Sequence, residues 1–143
     1  MSGVHSVTRH TVLLADDYPG LIAAYRRLLE PLFDIVGTAT DGRAVLDAAI
    51  ALEPDVIVLD LAMPQMNGLD ACRFIKRMVP RTHIVFVTAT DDPDIAEAAF
   101  NAGASAFVLK HAAALELPSA IRLALAGEMY CAPSARRQMR SGS

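Results

Sequence analysis

The chain has 143 residues, 53% of them hydrophobic and 20% charged, with a formal net charge of -3. That length can bury a core of its own, and the weak negative charge argues against a nucleic-acid binder or a cationic membrane protein. Cys72 and Cys131 stand apart, outside any C-x-x-C spacing, which argues against a disulfide scaffold and a zinc site. The leader MSGVHSVTRH (1–10) is polar and lacks the apolar centre of a secretory signal, and no apolar run reaches the ~20 residues of a membrane span. The expectation is a cytoplasmic protein without membrane contact.

From residue 11 onward, short apolar runs alternate with segments of helical period. TVLLA (11–15) is continuous and apolar, as a strand buried on both faces should be. Pro19 suits a first helical turn, and Leu21, Ile22, Tyr25, Leu28 and Leu29 recur at three-and-four spacing behind it. DIVGTAT (34–40) reads as a second, weaker strand. Asp41 is a candidate cap for the helix GRAVLDAAIALE, which Pro54 stops. DVIVL (55–59) is the third strand. Asn67 is a candidate cap for a helix through about Met78, ended by Pro80, and HIVFVTA (83–89) is the fourth strand. An Ala-rich helix over Asp91 to Ala102 ends at Gly103, where a left-handed cap belongs. AFVLK (106–110) is the fifth strand. The last helix begins near Ala113, unless Pro118, one turn inside the pattern, marks its true start or a kink. From about Glu128 the period is lost, and residues 128–143 read as a tail or the start of a linker; residues 11–127 form the domain.

Strict strand–helix alternation implies right-handed crossovers and a parallel sheet covered on both faces. In such α/β folds, ligands gather outside the carboxyl ends of the strands. At those ends the chain places Asp16 and Asp17 after the first strand, Asp60 after the third, Thr88 after the fourth and Lys110 after the fifth. Carboxylates at ~4 Å repel by about 4 kcal/mol per pair at an effective dielectric of ~20. They stay ionised together only beside a compensating cation: Lys110, a hard divalent ion, or both. Mg²⁺ suits an open pocket with few carboxylates, and one of these carboxylates can then attack phosphorus while lysine and metal neutralise the transferring group. Thr88 offers a hydroxyl to a phosphoryl oxygen. Singly, Asp16 and Asp17 read equally well as helix caps, Asp60 as a loop-entry residue, Thr88 as a strand threonine and Lys110 as a solvated charge. Their placement at one edge favours phosphoryl transfer onto an aspartate.

Four stretches carry a family resemblance: LLADDYP, VIVLDLAMPQMNGLD with its D-x-x-M-P-x-x-[DN]-G loop, IVFVTA, and AGASAFVLK. Over residues 11 to 127 the sequence resembles the receiver domain of two-component response regulators, the CheY-like superfamily. The flavour is that of receivers preceding a LuxR-type (NarL/FixJ) DNA-binding domain. The resemblance implies a flavodoxin-like doubly wound (βα)5 fold with a five-stranded parallel sheet in the order 2-1-3-4-5. It implies that Asp60 accepts a phosphoryl group from a sensor histidine kinase, and that the domain catalyses only its own phosphorylation and slow dephosphorylation. Asp17 and Asp60 are then ligands of Mg²⁺ or Mn²⁺, with Asp16 acting through water and the backbone carbonyl of Ala62 as a further ligand. Thr88 and Phe107 are the switch, reshaping the face of fourth helix, fifth strand and fifth helix, through which an activated homodimer could form. DNA enters only through an output domain absent from this chain; the alternative is a stand-alone receiver signalling by protein contact.

Departures from the family pattern are phenylalanine at 107, where tyrosine is common, and His111 after Lys110, where a cis proline is common. Ala62 and Thr90, positions that tune loss of the phosphoryl group, are both small. Arg136, Arg137 and Arg140 suit an acidic partner or a solvated tail. A phosphatase of the haloacid-dehalogenase type would need D-x-D, whereas Asp60 is followed by Leu61 and Ala62. A flavin carrier would need a phosphate-binding loop where DDYPG stands. A degenerate receiver would lack site residues that are all present here.

Overall fold

The computed structural model describes residues 9–137. β1 (Thr11–Ala15), α1 (Pro19–Leu29), β2 (Asp34–Ala39), α2 (Gly42–Leu52) and β3 (Val56–Asp60) follow in order. A small antiparallel hairpin, β4 (Ala62–Met63) and β5 (Met66–Asn67), leads into α3 (Gly68–Met78). β6 (His83–Thr88), α4 (Pro93–Asn101), β7 (Ala106–Leu109), α5 (Ala113–Leu125) and β8 (Tyr130–Cys131) complete the order. The main sheet runs β2-β1-β3-β6-β7-β8, all parallel. The expected order 2-1-3-4-5 is therefore present, extended by a sixth strand.

Alternation along the central strands divides the core into two layers. Val56 and Val58 join Val12, Leu14, Val85 and Val87 against α1 and α5, while Ile57 and Leu59 join Leu13, Ile84, Phe86 and Phe107 against α2, α3 and α4. Because both faces are covered, β3 is buried throughout and has no polar face to alternate. β2 lies at an edge, its burial alternates, and the weaker strand signal over 34–40 follows from that. Asp41, Asn67 and Asp92 cap α2, α3 and α4 by accepting from the amides of Ala44, Leu69 and Asp94 at 2.9, 2.8 and 2.9 Å. Gly103 takes φ +111° after α4, as a left-handed cap requires. α5 begins at Ala113 and runs through Pro118 without interruption. The ring leaves the carbonyl of Ala114 without its helical donor, and Ala114 is exposed, so water can replace the lost bond.

The segment after α5 corrects two expectations. Tyr130 and Cys131 pair with Ala106 and Phe107, held by Tyr130 N–H to Ser105 O and Ala132 N–H to Phe107 O at 3.1 and 2.8 Å. Two residues are too few to show a strand period, so nothing in the local pattern announced it. The expected solvated tail is also docked as far as residue 137. Arg137 pairs with Asp94 and Glu97 on α4, and Arg136 donates to Cys131 O at 2.8 Å and lies over the Tyr130 ring. Arg140, and residues 1–8 of the leader, lie outside the described residues. Ala132 and Ala135 enter the core beside Phe107. A chain ending at Gly127 should lose about 2 kcal/mol or more through the exposed β7 edge and core, read as a lower urea midpoint; an unchanged midpoint would show that the strand contributes nothing.

Candidate functional site

Parallel registry places the chemistry. Ala15 pairs with Leu59, Asp60 with Val87, and Thr88 with Leu109. Asp16, Asp60, Thr88 and Lys110 therefore fall at, or one step past, the ends of adjacent strands. Asp16 and Asp60 are 1% and 3% exposed, while Asp17 faces solvent. Carboxylate oxygens of Asp16, Asp17 and Asp60 all lie within 4.8 Å of one another. Neither Asp16 nor Asp17 caps α1: Tyr18 holds that position without a side-chain bond, and Asp16 Oδ1 instead accepts from Tyr18 N–H at 2.9 Å.

Lys110 Nζ stands 3.3 Å from Asp60 Oδ2 and 3.5 Å from Asp16 Oδ2. The first contact is a hydrogen bond; the second is an ion pair without hydrogen-bond geometry, which leaves Asp16 Oδ2 buried and unpartnered. Burial alone would lower the Lys110 pKa, but the charges of Asp60 and Asp16 outweigh it and raise it. Asp60 is also pushed up, first by burial and then by Asp16, against the lowering influence of the Ala62 N–H and of Lys110. Beyond burial, both shifts reflect two buried carboxylates, Asp16 and Asp60, set around one ammonium. The unsatisfied acidic surplus, with an orphaned buried oxygen inside it, fits a hard divalent cation.

The loop after Asp60 is built to hold it. Ala62 N–H donates to Asp60 Oδ1 at 3.2 Å, a contact that residue types do not reveal. The hairpin turns at Pro64 and Gln65, the latter at φ +66° in the left-handed region. Gly68 N–H bonds Leu61 O at 3.1 Å, and a Cβ on Gly68 would stand 2.6 Å from that same oxygen. The glycine is thus required by close backbone approach. Thr88 Oγ1 is buried and accepts from Thr90 N–H at 3.3 Å, so its proton remains available to donate. Phe107 is fully buried in the layer shared with α4. The Lys110–His111 peptide is trans and opens a short 3-10 turn, with His111 exposed.

Residues 12–122 match the response regulator receiver domain model. The chain belongs to that family. The receiver domain is 33% identical over 130 residues to the response regulator GacA of Pseudomonas viridiflava, covering 90% of this chain and 61% of that protein. It is 36% identical over 119 residues to the transcriptional regulatory protein LiaR of Bacillus subtilis strain 168, covering 82% of this chain and 56% of that one. This chain therefore spans about three-fifths of the length of such relatives. A LuxR-family response regulator from Aurantimonas sp. SI85-9A1 superposes with TM-score 0.84 at 32% identity, over 89% of this chain and 92% of that one. The isolated receiver of RcsB from Salmonella enterica serovar Typhimurium, solved with the phosphomimetic BeF3-, gives 0.81 at 28%, over 89% and 96%. The fold is that of a flavodoxin-like receiver, a signalling domain of two-component response regulators, and the phosphatase and flavin-carrier readings find no support. Among the described residues no helix is long and apolar enough to cross a membrane.

The charge surplus predicts a stability effect of known sign. Asp60 is raised above its unfolded value, so its favourable contribution is present below the unfolded pKa of ~3.9 and is lost as pH rises through the folded value. In metal-free buffer at pH 7, Asp60→Asn should stabilise the fold by on the order of 1 kcal/mol, about 3 °C in Tm, and the gain should shrink toward pH 4. An Asn variant less stable at pH 7 would contradict the assignment.

Proposed function

We propose that Asp60 is the phosphoryl acceptor and that a histidine kinase's phosphohistidine is the donor. One observation carries the reading: carboxylate oxygens of Asp16, Asp17 and Asp60 lie within 4.8 Å of one another, with the Lys110 ammonium in contact with Asp60 and Asp16. A carboxylate oxygen of Asp60 attacks phosphorus, the new P–O bond forms as the P–N bond breaks, and the imidazole nitrogen keeps the electron pair. Lys110 follows the developing negative charge, and the Thr88 hydroxyl donates to a phosphoryl oxygen. Asp17 and Asp60, the Ala62 carbonyl, and Asp16 through water would hold Mg²⁺ or Mn²⁺. When bound, the ion supplies the positive charge that lets carboxylates and phosphoryl oxygens coexist. The domain catalyses this transfer to itself and the slow hydrolysis of the product.

Thr88 and Phe107 transmit the change. Thr88 pairs with Leu109 on β7, two residues from Phe107, so a threonine drawn toward the phosphoryl group alters the packing around that ring. β7, α4 and α5 form the face through which an activated homodimer assembles, and residues 128–143 lead toward an output domain that contacts DNA. The relatives support this reading: LiaR is a transcriptional regulatory protein, and RcsB has been solved bound to DNA. Any dimer on this face must accommodate β8, which already occupies the free edge of β7.

Intact mass after incubation with acetyl phosphate should show one added phosphoryl group, lost in Asp60→Asn and without Mg²⁺. Lys110→Ala should slow the reaction by 10²-fold or more, whereas Thr88→Ala should still accept the group but show no activation-dependent dimer by light scattering. Phosphorylation that persists in Asp60→Asn would overturn the acceptor assignment.

A further inference from the structure

One buried polar group near the pocket has no role in the reading above. Tyr25 on α1 is 5% exposed and packed in the layer formed by α1, α5 and the sheet, yet its hydroxyl has no hydrogen-bond partner. Asp16 Oδ2 is the only other buried side-chain oxygen or nitrogen in that condition among the described residues. The first is a donor without an acceptor; the second has no hydrogen-bond donor and only the ion-pair contact with Lys110, and buried polar groups without hydrogen bonds are costly.

Lys110 borders both. Tyr25 and Lys110 line one cleft of about 300 Å³ between α1 and the start of α5, and Lys110 Nζ lies 3.5 Å from Asp16 Oδ2. Burial first, and then the charges of Asp16 and Asp60, push the Tyr25 phenol up to about 12. The hydroxyl therefore keeps its proton and sits in the field of both carboxylates. Its helical position asks only for an apolar side chain, so the hydroxyl is unexplained by packing.

We propose that Tyr25 is a positioning residue of the acceptor pocket, whose hydroxyl takes over Asp16 Oδ2 when Lys110 turns from Asp16 to a phosphoryl group on Asp60. The inference rests on the acceptor reading. One ammonium serves two carboxylates at rest; drawn toward three phosphoryl oxygens, it gives up its ion pair with Asp16 Oδ2, the oxygen that has no hydrogen-bond donor. The phenol then donates to that carboxylate and holds it in place beside the other two. A contact made only in the phosphorylated state shifts the equilibrium toward that state. A merely packed ring would leave the two states equally stable.

Tyr25→Phe removes the hydroxyl and keeps the ring. Two measurements test it on the whole chain: the urea midpoint of metal-free protein, and calorimetric binding of beryllofluoride in saturating Mg²⁺, with Asp60→Asn as control. We expect a midpoint unchanged or raised, because a buried unpartnered hydroxyl is removed, together with beryllofluoride binding about tenfold weaker. Tyr25→Leu, which also lacks the donor, should show the same weakening. Equal affinity in wild type and Tyr25→Phe, within twofold, overturns the proposal while leaving the acceptor reading intact. A lowered midpoint in Tyr25→Phe also overturns it, since the contact would then exist at rest. If wild type and Asp60→Asn bind beryllofluoride alike, the acceptor reading fails, and this proposal with it.

Discussion

The Lys110 ammonium, held between Asp60 and Asp16, is the contact on which the acidic pocket depends. Two nearly buried carboxylates and a third at the surface would repel by several kcal/mol without it. With it, the pocket is tolerable but still over-charged: burial and then Asp16 raise the Asp60 pKa, while the charges of Asp60 and Asp16 raise that of the lysine. Such an arrangement is poor for stability and suited to chemistry. A site built for the fold alone would match charges one to one, or use apolar residues of similar size. The residual negative charge is of the kind that a hard cation would compensate.

The surrounding architecture exists to deliver those groups to one point. Parallel strands of a doubly wound sheet all end on the same side, so residues far apart in sequence become neighbours there. Neighbouring registry, Ala15 with Leu59 and Asp60 with Val87, brings the end of β1 beside that of β3, and β3 beside β6. The hairpin after Asp60 is tied back by the Gly68–Leu61 contact, and the Ala62 amide steadies one carboxylate oxygen of Asp60. On the far side of the sheet edge, β8 and Arg137 bind the segment after α5 to β7 and α4. One strand, β7, thus ends one residue before Lys110, carries Phe107 and pairs with β8.

Much of this was legible because the informative signals are local. Continuous apolar runs mark strands buried on both sides, Asp41 and Asn67 mark helix starts, and Gly103 marks a helix end. Asp16, Asp17, Asp60, Thr88 and Lys110 could be gathered at one edge because strand direction follows from alternation alone. What escaped was decided by contacts between distant segments. Pro118 inside α5 is tolerated because the freed carbonyl belongs to an exposed residue, a matter of which side faces water. β8 has two residues and no period, and only the unpaired edge of β7 makes it a strand. Tyr25 reads along the helix as one more apolar position; that its hydroxyl is buried near two carboxylates depends on where α1 packs.

By itself, then, the order of residues determined the class of fold, the direction in which every strand points, and which side chains stand at the chemical edge. Those depend on periodicity and chain direction, which are properties of neighbours in sequence. Tertiary structure alone decided how one ammonium is shared between Asp60 and Asp16, which oxygen of Asp16 is left unpartnered, and how the segment after α5 is anchored to α4. Those are questions of distance and burial between residues tens of positions apart, and electrostatic energy in a low-dielectric pocket turns on differences of an ångström that no local pattern encodes.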